Sequence, residues 1–269
     1  MSPAGVDFLV RIAADRRRRI ETMMREVPGH VLRGRITVRP AGRLEYALRR
    51  GGPDGPLRLV CEVKRASPSQ GDLHPDADPA ELAKLYERGG AAAVSLVTEP
   101  DHFMGEPAWV DAVRPHVSIP ILMKDFVVDS YQLLDAAARG ADGVLLLAAL
   151  LSATQIQRLV IEAKLLGLDA LVEVHDQNEL ARALKAGATL VGVNNRDLHS
   201  FEVDLATSIK LMPRIPVGVT AVAESGLTRP EDLARLRATR CDAVLMGEVF
   251  MTSADPASTL EMFAAAARG

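Results

Sequence analysis

From residue 57 onward, short apolar runs recur at nearly regular intervals. They are Leu57–Val63, Ala92–Val97, Ile119–Met123, Val144–Leu147, Ala170–Val174, Leu190–Val193, Val217–Val222 and Ala243–Met246. Segments with helical spacing of apolar positions alternate with them: Pro79–Arg88, Pro107–Arg114, Tyr131–Arg139, Ser152–Leu166, Gln177–Ala186, Leu205–Met212, Pro230–Ala238 and Pro256–Ala267. Near-continuous apolar strands separated by helices indicate a parallel sheet covered on both faces. Eight such units predict an α/β fold of the (βα)8 TIM-barrel type. A doubly wound open sheet is the alternative, but the chain has no G-x-G-x-x-G dinucleotide loop.

A weak internal repeat supports the barrel. Gly90-Ala-Ala-Ala-Val, Gly140-Ala-Asp-Gly-Val and Gly187-Ala-Thr-Leu-Val each close a helix and open a strand, and Arg240-Cys-Asp-Ala-Val holds the fourth equivalent place. The spacing corresponds to two βα units. Ahead of the first strand, residues 5 to 26 read as an amphipathic helix carrying Val6, Leu9, Val10, Ile12, Ala13, Ile20 and Met23. Arg16 to Arg19 is expected to be a solvated turn of it, and Pro28 and Gly29 to stop it. Pro40 to Gly55 reads as a connector containing a short helix, Arg43 to Arg49. The expectation is one barrel domain over residues 1–269, with residues 1–50 as an N-terminal helical extension packed on it.

Composition narrows the function. The chain is 48% hydrophobic and 25% charged, with a net charge of −3 and 4% aromatics. These values give no electrostatic handle for nucleic acid or an anionic membrane and no stacking surface for single strands. Two cysteines, Cys61 and Cys241, fall in apolar strands and read as buried thiols. The N-terminus lacks an apolar signal core, and the longest apolar stretch, Gly143 to Leu151, is too short to span a membrane. A cytoplasmic protein, monomeric or weakly homo-oligomeric, is expected.

In a barrel, catalysis sits at the C-terminal ends of the strands. Strand 1 ends in Glu62 and Lys64, which period-2 geometry places on one face. Strand 2 ends near Thr98 and Glu99, with Phe103 in the loop. Strand 3 ends in Lys124-Asp125-Phe126, strand 5 in Glu173, strand 6 in Asn194-Asn195-Arg196-Asp197, strand 7 in Glu224-Ser225-Gly226 and strand 8 in Gly247. A single charge at a strand end is usually a solvated cap. Convergence of lysines, glutamates, an arginine and an asparagine from five strands requires a ligand to justify its desolvation. Mixed signs suit proton transfer: a lysine with lowered pKa as acid, a glutamate with raised pKa as base or relay. Ser225-Gly226 and Gly247-Glu248 follow strands 7 and 8, a position suited to a phosphate. His30, His74, His102, His116, His175 and His199 form no metal-ligand spacing and read as surface or loop residues, and no G-x-S-x-G elbow occurs.

The motifs E-V-K-R-A-S-P-S, P-I-L-M-K-D-F-V-V-D-S-Y-Q, L-V-E-V-H, V-G-V-N-N-R-D-L and A-E-S-G-L, in this order, closely resemble the indole-3-glycerol phosphate synthase family, from about residue 5 to 262. The resemblance implies conversion of 1-(2-carboxyphenylamino)-1-deoxyribulose 5-phosphate to indole-3-glycerol phosphate, carbon dioxide and water in tryptophan biosynthesis, with no cofactor and no metal. By motif, Lys124 resembles the general acid and Glu173 its partner in dehydration. Glu62 and Lys64 resemble a polar wall that shares the acid–base work. Asn194 and Arg196 resemble the groups holding the substrate's carboxylate and hydroxyls, and Glu224 and Ser225 close the ring. Ser67, Ser225, Gly226 and Gly247 resemble phosphate contacts. Phe103, Phe126, Leu145, Leu198 and Phe201 resemble an apolar clamp. Gly105-Glu106 replaces a frequent Gly-Ser, and Asp129-Ser130 a usual Asp-Pro. Two other readings are a phosphate-binding barrel of the phosphoribosylanthranilate isomerase kind, which would use a Cys–Asp pair, and an inactive barrel serving as an assembly partner.

Overall fold

The computed structural model describes residues 3–37, 39–198 and 200–269, with residues 3–7 described by backbone alone. The side chain of Val6 and the whole of His199, both used in the sequence reading, lie outside the described residues. Eight parallel strands close into a barrel in chain order: β1 (Arg58–Val63), β2 (Ala93–Val97), β3 (Ile121–Lys124), β4 (Gly143–Leu147), β5 (Asp169–Val174), β6 (Leu190–Asn194), β7 (Thr220–Glu224) and β8 (Ala243–Met246), with β8 returning to pair with β1.

Period-2 alternation divides each strand between two cores. Cys61, Val94, Met123, Val172, Val191, Ala223 and Val244 point outward into the layer shared with the helices. Val60, Leu122, Leu145, Leu171, Leu190, Val222 and Leu245 point inward. Leu44 and Leu48, on the short helix Arg43–Leu48, join this interior set and plug its N-terminal end. Gly143 leaves space for Leu44, since a Cβ there would come within 2.5 Å of Leu44 Cδ2. The inward parity continues upward from Val60 to Glu62, Leu122 to Lys124, Leu171 to Glu173, Gly192 to Asn194 and Val222 to Glu224. The polar strand-end residues are therefore the top layer of the barrel interior.

Some boundaries differ from the sequence expectation. Strand β3 starts at Ile121 rather than Ile119, because Pro120 has no N–H for the ladder. Strand β7 starts at Thr220 rather than Val217. Gly218 turns the chain with φ of +97°, and Val217 is 97% exposed. The N-terminal helix runs Pro3–Glu26 and stops before Pro28 as expected; a second helix, Gly29–Arg35, which the sequence reading did not include, follows with Pro28 at its N-cap. Arg16 also departs from expectation. It is 2% exposed and its Nη2 lies 2.5 Å from Asp125 Oδ2. Arg17, Arg18 and Arg19 are exposed as expected. Tyr131 fastens the same helix by donating its hydroxyl toward the carbonyls of Met23 and Val27. Among the described residues, no helix is long and apolar enough to cross a membrane.

Candidate active site

The top layer of the interior forms one charged constellation. Lys124 Nζ lies 3.0 Å from Glu62 Oε2 and 3.7 Å from Glu224 Oε2. Lys64 Nζ lies 3.2 Å from Glu62 Oε1. Glu62 thus sits between two ammonium groups and also accepts from Ser95 Oγ at 3.2 Å. Burial would raise its pKa, but Lys124 and Lys64 outweigh burial and hold it at about 2. For Lys124, burial favours the neutral amine. Glu62, Glu224 and Glu173 together overcome that and push its pKa above the usual lysine range. The expectation of a lysine with lowered pKa is therefore corrected: three carboxylates, not a neighbouring cation, surround it.

The raised group is Glu224. It is fully buried, and neither of its oxygens accepts a hydrogen bond from a described residue. Burial, then repulsion from Glu173, push its pKa up to about 8, with Lys124 offsetting only part. Gly192 makes this position possible, since a Cβ there would come within 2.0 Å of Glu224 Oε1. Glu173 behaves oppositely. Burial pushes it up, but His175, Lys124 and Asn194 outweigh burial and hold it at about 2. Asn194 Nδ2 donates to Glu173 Oε1 at 3.0 Å, while Asn194 Oδ1 accepts from the Arg196 backbone N–H.

A cavity opens above this layer. Glu62, Lys64, Ser67, Phe103, Lys124, Phe126, Leu145, Glu173, Asn194, Arg196, Leu198, Phe201 and Ser225 all line it. A second cavity shares Glu62, Lys64, Lys124, Arg196, Phe201 and Ser225 with the first and adds Gly226 and Gly247. Ser67 lines the first cavity, and Gln70, whose N–H donates to Ser67 Oγ, lines the second. Phe103 and Phe126 approach with ring centroids 6.1 Å apart. Phe103 belongs to a short helix, Pro100–Phe103, and Glu99, which also lines the cavity, accepts that helix's first N–H groups. The loops are tied down locally. Asn195 Nδ2 donates to Ser225 O, joining the loops after β6 and β7. Arg196 contacts Phe201 O and, at 3.4 Å, Glu248. Phe201 and Ser225 hold positive φ angles of 60° and 64°, a conformation that non-glycine residues adopt at a cost.

The two family departures lie at helix starts. Glu106 is exposed and reaches toward Arg65, and Gly105 packs so closely on Val97 O that a Cβ would come within 2.1 Å. Asp129 and Gln132 form a capping box on the helix Ser130–Arg139.

Sequence reasoning gave no site role to Phe8, Asp125 or His175. Phe8, from the N-terminal helix, lines the cavity and packs edge-on against Phe201 at 5.8 Å. Asp125 lines it too, on the far side of its pair with Arg16. His175, read as a surface or loop residue, has its ring largely buried between Glu173 and Glu179. Its place two residues after Glu173, on the same strand face, was the available signal.

A family model described as indole-3-glycerol phosphate synthase matches residues 9–263. The chain belongs to the indole-3-glycerol phosphate synthase family. Indole-3-glycerol phosphate synthases similar to it include one from Carboxydothermus hydrogenoformans, 39% identical over 96% of this chain and 100% of the relative. Another, from Parafrankia sp., is 52% identical over 74% of this chain and 75% of the relative. Indole-3-glycerol phosphate synthase 1 of Streptomyces coelicolor is 47% identical over 85% and 83%. A crystal structure of KGPDC from Streptococcus mutans, solved in complex with a ribose phosphate, superposes with a TM-score of 0.60 at 14% identity, over 78% of this chain and 96% of that one, and shares the fold. Membership in the indole-3-glycerol phosphate synthase family carries a lyase activity of tryptophan biosynthesis, in which a carboxylate leaves as carbon dioxide. The isomerase and inactive-barrel readings are not favoured. Cys61, which an isomerase pair would need in the mouth, packs outward in the helix layer.

Proposed function

We propose that this constellation performs the three steps of the family reaction: ring closure, decarboxylation and dehydration of 1-(2-carboxyphenylamino)-1-deoxyribulose 5-phosphate to indole-3-glycerol phosphate. The observation that carries the reading is the placement of Lys124. Its ammonium stands among three carboxylates at the floor of a cavity with aromatic and aliphatic walls on one side and glycine-lined backbone on the other.

Phe103, Phe126, Leu145, Leu198 and Phe201 clamp the anthranilate ring, and Ser225, Gly226 and Gly247, with Ser67, hold the phosphate. Gly247 lets its backbone lie against Glu62, where a Cβ would come within 2.9 Å. Anchoring the substrate at both ends brings the aromatic carbon to the carbonyl and lowers the entropic cost of closure. Lys124 protonates the carbonyl oxygen as the new carbon–carbon bond forms. Lys64, held by Glu62, shares this role. Arg196 and Asn194 hold the carboxylate and hydroxyls. Loss of carbon dioxide restores the aromaticity of the benzene ring, and Glu173 handles the proton transfers of the dehydration that follows. Glu224, whose pKa lies nearest neutrality, holds a proton close to Lys124.

The substrate is a phosphorylated small molecule. A monomer or weak homo-oligomer is the working unit in this reading, and two buried free cysteines suit a cytoplasmic setting. Incubation with the carboxyphenylamino-deoxyribulose phosphate, followed by indole fluorescence without added metal, tests the reading. Product formation is expected, and its absence from folded protein would reject the assignment.

A further inference from the structure

His175 occupies a position that the proposed reaction does not yet explain. Its ring is largely buried between two carboxylates. Nε2 lies 3.3 Å from Glu173 Oε1, and Nδ1 lies 3.1 Å from Glu179 Oε2. Glu179 also accepts the His175 backbone N–H on the same oxygen, at 2.8 Å. Glu179 belongs to the helix Gln177–Lys185, whose start is fixed by Asp176 accepting the Glu179 N–H. The imidazole is therefore gripped from behind by backbone and side chain together.

What it grips in front is specific. Asn194 Nδ2 donates a hydrogen bond to Glu173 Oε1, His175 Nε2 stands 3.3 Å from the same oxygen as an ion-pair contact without hydrogen-bond alignment, and neither contact touches Oε2. A carboxylate fixed through one oxygen presents the other in a defined direction. We propose that His175 is a positioning residue: anchored by Glu179, it works with Asn194 to immobilise Glu173 through Oε1, so that Oε2 is the oxygen that exchanges protons with the substrate during dehydration. This rests on the role given to Glu173 above.

The charged groups facing His175 are Glu173 on its own strand and Glu179 on the following helix. Arg182 lies 3.9 Å from the outer carboxylate and is itself bonded to Ala148 O. Lys124 from β3 and Glu224 from β7 face Glu173 from across the mouth. The two carboxylates hold His175 as the imidazolium, with its pKa raised to about 10 despite burial. A fixed positive charge beside Oε1 keeps Glu173 ionised at pH values where an ordinary glutamate begins to protonate.

The test is the pH dependence of turnover in His175→Ala, His175→Asn, Glu179→Gln and the His175→Ala/Glu179→Gln double variant. His175→Ala is expected to lower kcat about tenfold with KM changed less than about threefold. It should also raise the pH of the acidic limb of kcat by a unit or more, as Glu173 becomes easier to protonate. Asn keeps a donor without the charge, so His175→Asn should recover part of kcat while the acidic limb stays shifted. Glu179→Gln should lower kcat in the parent but add nothing once His175 is gone, because it acts through the imidazole. An unmoved acidic limb in both folded His175 variants, or an equal cost of Glu179→Gln with and without His175, overturns the proposal. If the alanine variant does not fold, His175→Asn and Glu179→Gln decide by the same limb. Glu173→Gln serves as the separate control. Unimpaired dehydration there would remove the role of Glu173 itself, whereas a lost step with unmoved His175 variants rejects only the positioning role.

Discussion

At the scale of single residues, the site is governed by the imbalance around Lys124. Its ammonium is surrounded by Glu62, Glu173 and Glu224, so it stays charged and available as a donor although burial opposes the charge. A lysine with so high a pKa is not a strong acid in the resting site. In the role proposed for it, its value lies in a fixed N–H pointed at an oxygen that becomes negative, an interaction strongest in the transition state. Lys124→Ala should therefore lower turnover by about 10²–10⁴-fold. Affinity for substrate, measured by equilibrium binding, should change by less than about tenfold. Unchanged turnover would remove Lys124 from the acid role. The variant would also remove the nearest cation that holds Glu62 low, so a further proton, beyond the one Glu224 already retains, should be taken up closer to neutral pH, which a proton-uptake titration on folding would register as a difference from the parent.

At the scale of elements, most of the barrel was legible because its two periodicities are strong. Buried strands read as short apolar runs, and Glu62, Lys124, Glu173, Asn194 and Glu224 stood out as polar residues ending those runs. What was hidden depends on contacts between elements distant in sequence. Four consecutive arginines look like a solvated turn, and only tertiary packing shows Arg16 turned inward onto Asp125, next to Lys124. His175 was hidden for a different reason: its partners, Glu173 two residues back on the same strand face and Glu179 on the next helix, are near in sequence, but only the fold turns the ring inward between them. The pKa pattern was illegible for the same reason: which carboxylate is raised depends on the distances to two lysines and a histidine. The Arg16–Asp125 pair makes a testable claim about the N-terminal helix. Burial alone pushes Asp125 upward, and Arg16 restrains it. Arg16→Met leaves that carboxylate buried and unpaired, which should cost about 3–5 kcal/mol in denaturant unfolding. Arg16→Met/Asp125→Asn removes the orphaned charge and should recover much of the loss. A double variant no more stable than Arg16→Met would show that the pair does not couple the helix to the barrel.

At the scale of the molecule, the same buried charges that form the site set how stability varies with pH. We expect residues 1–50 and the barrel to unfold in one transition, since Leu44 and Leu48 belong to the barrel interior and Arg16 reaches its upper end. Glu62 and Glu173 have folded pKa values of about 2, below the ordinary glutamate value of 4.5. Their contribution is present above pH 4.5 and is lost as pH falls from there toward 2. Glu224 has the opposite sign. The fold retains its proton up to about pH 8, so its contribution is favourable at low pH and is lost as pH rises from 4.5 through 8. Asp125, raised to about 6, loses its contribution between 3.8 and 6, and His175, raised to about 10, between 6.5 and 10. One set opposes acid and the other opposes alkali, so thermal stability should peak at about pH 5 and decline toward about pH 9. Glu224→Gln tests the largest single share of that decline, because the amide has nothing to ionise in the space that Gly192 leaves for it. The variant should unfold several degrees higher than the parent at about pH 8 and differ less at about pH 5, as Glu62 still holds Lys124. A gain that is equal at both pH values would mean that the Glu224 carboxylate is not the group destabilised by alkali.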